Sequence, residues 1–272
     1  MKHIAPNRIA AFTRAELLVV IVVVAMLAAV VIAGYPRQVS KRDRIECVNN
    51  QKQIGTAFRV FASDGSDGYP LQNFGSYYIV PSNATPMQVN SPSAATWQAA
   101  QAMWESIQSP KLLLCPSDRE RSTLPRVTDF NGLAGNSNLL TTASLGHPSN
   151  QNNSVSYAFG VAAEEARPLG ILIVDRNVNN VGLAGAGVLS NVALTSTRTV
   201  LNGTPGPTQA VWVKGTRMHG MEGNLAYADG RVGQATAEVL RKSLENAVAC
   251  YGVKSPYSGP RPIPNQNEML FP

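Results

Sequence analysis

The chain has 272 residues, a formal charge of +6, only 15% charged residues, and 22 Gly and 18 Pro. That length accommodates one moderate domain plus a helix, and the Gly and Pro content suits a loop-rich exported domain better than a compact helical enzyme. No long basic run with interleaved aromatics occurs, which argues against a nucleic-acid partner.

Residues 17–33 form an uninterrupted run of 17 apolar residues. This is about 25 Å of helix at about 1.5 Å per residue, near the lower limit for a membrane span. Few soluble helices are apolar on every face. The run also exceeds the apolar core of a secretory signal, although Lys2, Arg8 and Arg14 precede it. Composition therefore favours a retained, inserted helix. Arg37, Lys41, Arg42 and Arg44 follow it, so the positive-inside rule tolerates either orientation. Glu16 sits at its N-terminal edge. A carboxylate there must stay wet, become protonated or find a positive partner.

Taken in order, residues 1–11 read as a leader, 12–35 as a transmembrane helix and 36–62 as a polar stem helix with Pro36 as a point of kinking. Ile45, Val48, Ala57, Phe58 and Phe61 give the stem an uneven apolar stripe. The stretch Asp64-Gly65-Ser66-Asp67-Gly68 reads as a turn. Calcium is its alternative reading, without the ligand spacing of an EF-hand. Residues 72–92 read mostly as loop. Ser93 caps a predicted helix over 94–107, with Trp97, Met103 and Trp104 on its buried side. Residues 111–115 look like a strand running into the Pro116-Ser117-Asp118 turn.

Residues 129–154 read as a long surface loop rich in Asn, Ser, Gly and Thr. Strands are expected at 154–161 and 169–174, and a polar loop at Asp175-Arg176-Asn177. Further strands are expected at 210–213 and 224–228, with Asp229-Gly230 making a hairpin turn and Val232 opening the returning strand. Thr236 caps a helix over 237–248, and 254–272 is an extended or disordered Pro-rich tail. The body, 63–253, reads as one extracytoplasmic domain. The three cysteines, Cys47, Cys115 and Cys250, are widely spaced. They allow one disulfide with one thiol left over, or three buried thiols.

Ala11-Phe12-Thr13-Arg14-Ala15-Glu16-Leu17-Leu18-Val19-Val20-Ile21 resembles the class III signal of type IV pilins and type II secretion pseudopilins. The resemblance implies cleavage between Ala11 and Phe12 by a prepilin peptidase, and N-methylation of Phe12. It also implies that Glu16, fifth in the mature chain, pairs with the terminal amine of a neighbouring subunit. Ala11 stands where that family usually has Gly. The run from His219 to Asp229-Gly230 resembles the H-x9-DG C-terminal domain of large prepilin-like families of Planctomycetes and Verrucomicrobia. The stretches 46–55, 114–118 and 156–160 also fit that pattern.

His219 and Asp229 together suggest a His–carboxylate pair, with Cys115, Ser117 and Glu222 as candidate companions. The architectural reading, a histidine bracing the 220–223 loop and Asp229-Gly230 forming a turn, is the favoured one. The expected fold is α+β and pilin-like, a long N-terminal transmembrane and stem helix packed on a small, mostly antiparallel sheet. The resemblance implies a structural subunit of an envelope filament or secretion assembly, without enzyme activity or cofactor. Its implied partners are a prepilin peptidase, other pilin-like subunits and inner-membrane lipid. Its implied place is the bacterial inner membrane, single-pass, with the C-terminal domain outside. The alternative is a membrane-anchored module binding a polysaccharide, a peptide or a metal. A hydrolase using His219 is the weakest choice.

Overall fold

The fold is that of a computed structural model, which describes residues 13–66, 68–71, 77–78, 87–88, 95–121, 127–130, 141–180, 197–201, 210–213, 218–250 and 268–271. The chain divides into two contact units, Met1–Arg42 and Asp43–Pro272.

Helix α1 runs from Arg14 to Phe61. Its start is set by a reciprocal cap. The Thr13 backbone N–H and hydroxyl donate to Glu16 Oε2 at 2.8 and 2.9 Å, and the Glu16 N–H donates to Thr13 Oγ1 at 3.3 Å. This T-x-x-E capping box satisfies amide groups that the first turn leaves unpaired. The backbone bond from Thr13, followed by the side-chain one, holds the Glu16 carboxyl below its ordinary pKa. Glu16 therefore has a local partner in Thr13.

Among the described residues no helix is long and apolar enough to cross a membrane. This corrects the single-pass inner-membrane placement, the transmembrane-stem fold and, with them, the resemblance to pilins and pseudopilins.

In the second unit α1 carries a buried stripe of Cys47, Asn50, Gln51, Ile54, Phe58 and Phe61. The steps of three and four residues keep these side chains on one helix face. A π-turn, Ala62–Ser66, ends the helix. Strands β1 (Tyr77–Tyr78) and β2 (Met87–Gln88) pair with each other inside the stretch expected to be loop.

The expected helix over 94–107 is broken in two, α2 (Thr96–Ala102) and α3 (Trp104–Ile107). Met103 separates them with φ −97° and ψ 22°. The cap is Ala95, whose N–H donates to Gln98 Oε1 at 2.7 Å. The expected strand at 111–115 is instead a 3₁₀ turn, Pro110–Leu113. Proline at the first helical position favours that turn, and a short apolar run does not distinguish strand from helix.

The remaining strands are β3 (Tyr157–Gly160), β4 (Ile171–Asp175), β5 (Val178–Asn180), β6 (Thr197–Val200), β7 (Ala210–Trp212), β8 (Gly223–Tyr227), β9 (Val232–Ala235) and β10 (Glu268–Phe271). Six form an open antiparallel sheet in the order β6-β10-β3-β4-β8-β9. Strands β5 and β7 form a separate pair. The fold is thus an α+β domain with an open sheet. Residues 268–271 of the Pro-rich tail form β10, inserted between β6 and β3, and 254–267 lie outside the described residues.

Both faces of the sheet are covered. Tyr157, Phe159, Leu172, Ala226 and Leu270 join one core with α1 and α2, in which the Phe58 ring meets Tyr69 and Phe159 edge-on at 5.4 and 5.3 Å. Ala158, Val174, Leu225, Met269 and Phe271 join the other, with Leu240, Leu244 and Ala247 of α4 (Ala237–Cys250) and with Trp212. Alternate side chains leave a strand on opposite faces, so β3, β4, β8 and β10 each feed both cores. This is why 171–175 reads as a continuous apolar run rather than an alternating one.

Asp229-Gly230 makes the hairpin turn between β8 and β9. The Gly230 N–H donates to Tyr227 O at 2.9 Å, and Gly230 has φ +88°, the left-handed region glycine adopts freely. Gly223 is required for a different reason. A Cβ there would enter the buried six-membered ring of Trp212. Gly223→Ala is expected to destabilise the domain by about 1–3 kcal/mol through overpacking, read by urea unfolding. An unchanged midpoint would show that Trp212 moves aside freely.

Candidate metal and disulfide centre

Five segments bring their polar side chains to one point in the core shared by α1 and the sheet. Helix α1 contributes Cys47 and Gln51, which are 0% exposed. The loop after the 3₁₀ turn contributes Cys115, 1% exposed. That loop is fixed by Asn50 Nδ2, which donates to Leu114 O at 3.1 Å, and by Ser156 N–H, which donates to Leu113 O at 2.7 Å. Strand β4 ends on Asp175, and its neighbour β8 begins at Gly223, with Asn224 next.

His219 comes from the loop before β8. Gly220 takes φ +77° there, with open space at its Cβ position, so the backbone conformation is what favours glycine. Asn177 Nδ2 donates to Gly220 O at 3.3 Å and Glu222 O at 2.8 Å. Arg44 reaches from α1 to His219 O at 3.4 Å and to the Glu222 carboxylate at 2.7 Å.

Cys47 and Cys115 form a disulfide, with Cα atoms 5.1 Å apart and a sequence separation of 68. In the chain-entropy picture a loop of that length contributes about 4 kcal/mol. The imidazole lies against it, with His219 Nε2 3.3 Å from Cys115 Sγ. The same nitrogen lies 3.2 Å from Asn224 Nδ2 and 3.5 Å from Asp175 Oδ2. Donation from the Asn224 amide to Nε2 corresponds to the tautomer protonated on Nδ1, with Cys115 Sγ in contact with the same Nε2. His219 Nδ1 is buried and has no hydrogen-bond partner among the described residues.

Asp175 is fully buried, and amide groups hold both its oxygens. Gln51 Nε2 donates to Oδ1 at 2.7 Å. The Asn224 N–H and Nδ2 donate to Oδ2 at 2.7 and 3.0 Å. Burial pushes the Asp175 carboxyl up to about 8, against the opposing pull of those amides. Burial, and then the Arg44 charge, push His219 down to about 4. Tyr157 is raised by burial and by Asp175.

Beside this point lies a second buried charge cluster. Arg176 donates to both oxygens of Asp118 at 2.6 and 2.7 Å and to Glu120 at 2.6 Å, and Ser156 Oγ donates to Asp118 at 2.9 Å. Arg121 is pushed down to about 9 by burial and by Arg176, and it donates to Asn152 O at 2.7 Å.

The predicted companions of His219 are partly corrected. Its carboxylate neighbour is Asp175; the Asp229 carboxylate instead accepts from the Arg231 N–H and Nε at 2.9 and 2.6 Å in the hairpin turn. Glu222 is paired with Arg44, and Cys115 is the companion that does lie beside the imidazole. Asp175-Arg176-Asn177, expected to be a polar loop, is buried throughout and organises the site. The signal available for it was the placement of an acid and a base immediately after a wholly apolar strand. Ala11 and Phe12 fall outside the described residues, as does Asp67 of the calcium alternative; Asp64 is exposed in the π-turn.

Cys47, Cys115 and His219 each offer one ligand atom, and these atoms lie within 4.8 Å of one another. Two thiolates and an imidazole are soft to borderline donors that suit zinc, not the oxygen-seeking calcium ion. The cluster overturns the expectation of a chain with no enzyme chemistry and no cofactor, and with it the reading as a purely structural filament subunit. No family model, curated protein or solved structure matches the chain.

The buried pair makes a signed pH prediction for the oxidised, metal-free protein. Between about pH 4 and 6.5 the folded pair holds one proton, on Asp175, and the unfolded pair also holds one, on His219, so the pair contributes no slope. From pH 6.5 to about 8 the folded state keeps its proton while the unfolded state holds none. Stability should then fall with rising pH by about 1.4 kcal/mol per unit. Urea unfolding across this range should show the decline in the native sequence and its loss in Asp175→Asn. Parallel curves for the two would refute the assignment.

Proposed function

We propose that this chain carries a redox-gated metal centre. In the reduced state Cys47, Cys115 and His219 hold a thiophilic divalent ion, zinc by its donor chemistry. In the oxidised state the same sulfurs form the disulfide. The observation that carries this reading is the convergence of two sulfurs and an imidazole nitrogen within 4.8 Å in a buried core.

The two states exclude each other on chemical grounds. A metal ligand must be a thiolate, and disulfide sulfurs carry no thiolate charge. Entry into the metal state requires two electrons from an external dithiol. The Cys47–Cys115 bond breaks, the reductant's two thiols join as a disulfide, and their protons pass to the protein thiols or to solvent. Metal binding then takes up the thiolates and releases the remaining protons. His219 suits both states. Its low proton affinity keeps the imidazole neutral at pH 7, the form that ligates metals.

The burial of every ligand favours a centre that ties the domain together in either redox state over one that admits a large substrate. Cys47 belongs to α1, Cys115 to the loop after the 3₁₀ turn, and His219 to the loop before β8. A metal among them would link the same segments the disulfide links, and the His219 loop as well.

Anaerobic reduction, removal of the reductant and titration with Co²⁺ test the proposal. One equivalent should bind, with tetrahedral ligand-field bands and sulfur-to-cobalt charge transfer. Cys47→Ser and Cys115→Ser should each lose much of that charge transfer, and His219→Ala should bind at least about 10-fold more weakly. The oxidised protein should bind none. Failure of the reduced, still folded protein to bind Co²⁺ or Zn²⁺ would overturn the reading.

A further inference from the structure

We infer that residues 219–222 form a lid over the Cys47–Cys115 disulfide, latched by Arg44, and that its opening admits an external dithiol to Cys115 Sγ. The inference takes its role from the redox-gated reading above, and its kinetic test requires no metal.

Burial sets the problem. Cys47 and Cys115 are both buried, and thiol–disulfide exchange depends on access of the attacking thiolate to sulfur. Towards the sheet the centre is closed by Gln51, Asp175 and Asn224, all buried. Exposure rises across the loop before β8. His219, whose Nε2 lies 3.3 Å from Cys115 Sγ, is 8% exposed, and Met221, two residues on, is 61% exposed. The loop that carries the imidazole thus runs from the sulfur to the surface.

The fastenings of this loop are the second support. Arg44 donates to the Glu222 carboxylate at 2.7 Å and to His219 O at 3.4 Å. Asn177 Nδ2 donates to Gly220 O and Glu222 O. These are side-chain links, for residues 218–222 lie outside the strands and β8 begins at Gly223. The Arg44 and Glu222 side chains are 32% and 45% exposed, and an exposed ion pair is weak and screened by salt. Met221, largely in solvent, adds little apolar burial to hold the loop down. Met218, buried in the core with α1, anchors its near end. Local opening is drawn from segments held in this way. Lifting 219–222 breaks the Arg44 and Asn177 bonds and withdraws the imidazole, while the buried stripe of α1 and the pairing of β4 with β8 stay in place.

The exchange proceeds in two steps. A thiolate of the dithiol bonds to Cys115 Sγ, the Cys47–Cys115 bond breaks, and Cys47 leaves as a thiolate that takes a proton from solvent. The second thiol of the reductant loses its proton to solvent and attacks the reductant's own sulfur in the mixed disulfide. Cys115 leaves as a thiolate, and the reductant has become a disulfide. Because the lid carries His219, a metal held by that imidazole and the two sulfurs ties the lid shut.

The test follows reduction of the oxidised, metal-free full chain by dithiothreitol, read by quenched alkylation and peptide mass mapping. Arg44→Gln and Glu222→Gln should each speed reduction about 2–5-fold. Added salt should speed reduction of the native chain and leave Glu222→Gln nearly unchanged. Leu240→Ala, which opens a cavity in the core on the other face of the sheet, should leave the rate unchanged, because the lid opens without global unfolding. Limited iodoacetamide treatment of the reduced chain should label Cys115 ahead of Cys47. Near-ultraviolet circular dichroism reports whether each variant is folded, and the salt and labelling experiments on the native sequence require no variant. Rates unmoved by both latch variants would overturn the inference, as would a rate raised by Leu240→Ala or labelling of Cys47 first. Each of these results leaves the metal reading standing, whereas a reduced chain that binds no Co²⁺ removes the metal centre and leaves the lid kinetics intact.

Discussion

A carboxylate placed at the end of a wholly buried strand constrains this domain more than any other single group. Asp175 cannot be left without partners, because an unsolvated carboxyl in an apolar core costs several kcal/mol. Its partners come from α1 through Gln51 and from β8 through Asn224. One side chain thereby ties the helix to the sheet and fixes where β8 starts beside β4. The start of β8 in turn positions the loop that carries His219. The disulfide acts on the same junction, joining α1 to the loop after the 3₁₀ turn.

Much of the backbone plan was legible from local chemistry. The Asp229-Gly230 turn, the strands around Phe159, Ile173 and Leu225, and the helix after Thr236 all follow from turn residues and apolar runs. The errors have physical causes. Residues 268–271 hold three apolar residues after a Pro-rich stretch, and only pairing with distant β3 and β6 makes them a strand. The 110–113 segment has the composition of a strand, but its first residue is a proline suited to a helical turn.

The site was less legible than the fold. His219 and Cys115 stood out in the sequence, but 104 residues separate them, and no spacing rule brings them together. Asp229 was the obvious carboxylate for His219 because it lies nearby in sequence. The sheet supplies Asp175 instead, since β4 and β8 are neighbours and the end of one meets the start of the other. Sequence proximity favoured the turn residue; strand pairing chose the buried one. The cysteine pairing likewise became decidable only once the α1 stripe and the 3₁₀ turn were packed on the same core.

The two buried carboxylates differ in the groups that hold them. Asp118 receives a bidentate guanidinium from Arg176 and a hydroxyl from Ser156, so its charge is matched within hydrogen-bond distance. Asp175 lies on the same strand end as Arg176, one residue earlier, yet its hydrogen bonds come from amides alone. Burial therefore raises Asp175 to about 8, while the arginine is spent on Asp118. A carboxylate arranged this way is oriented but not neutralised. A proton satisfies it in the oxidised protein.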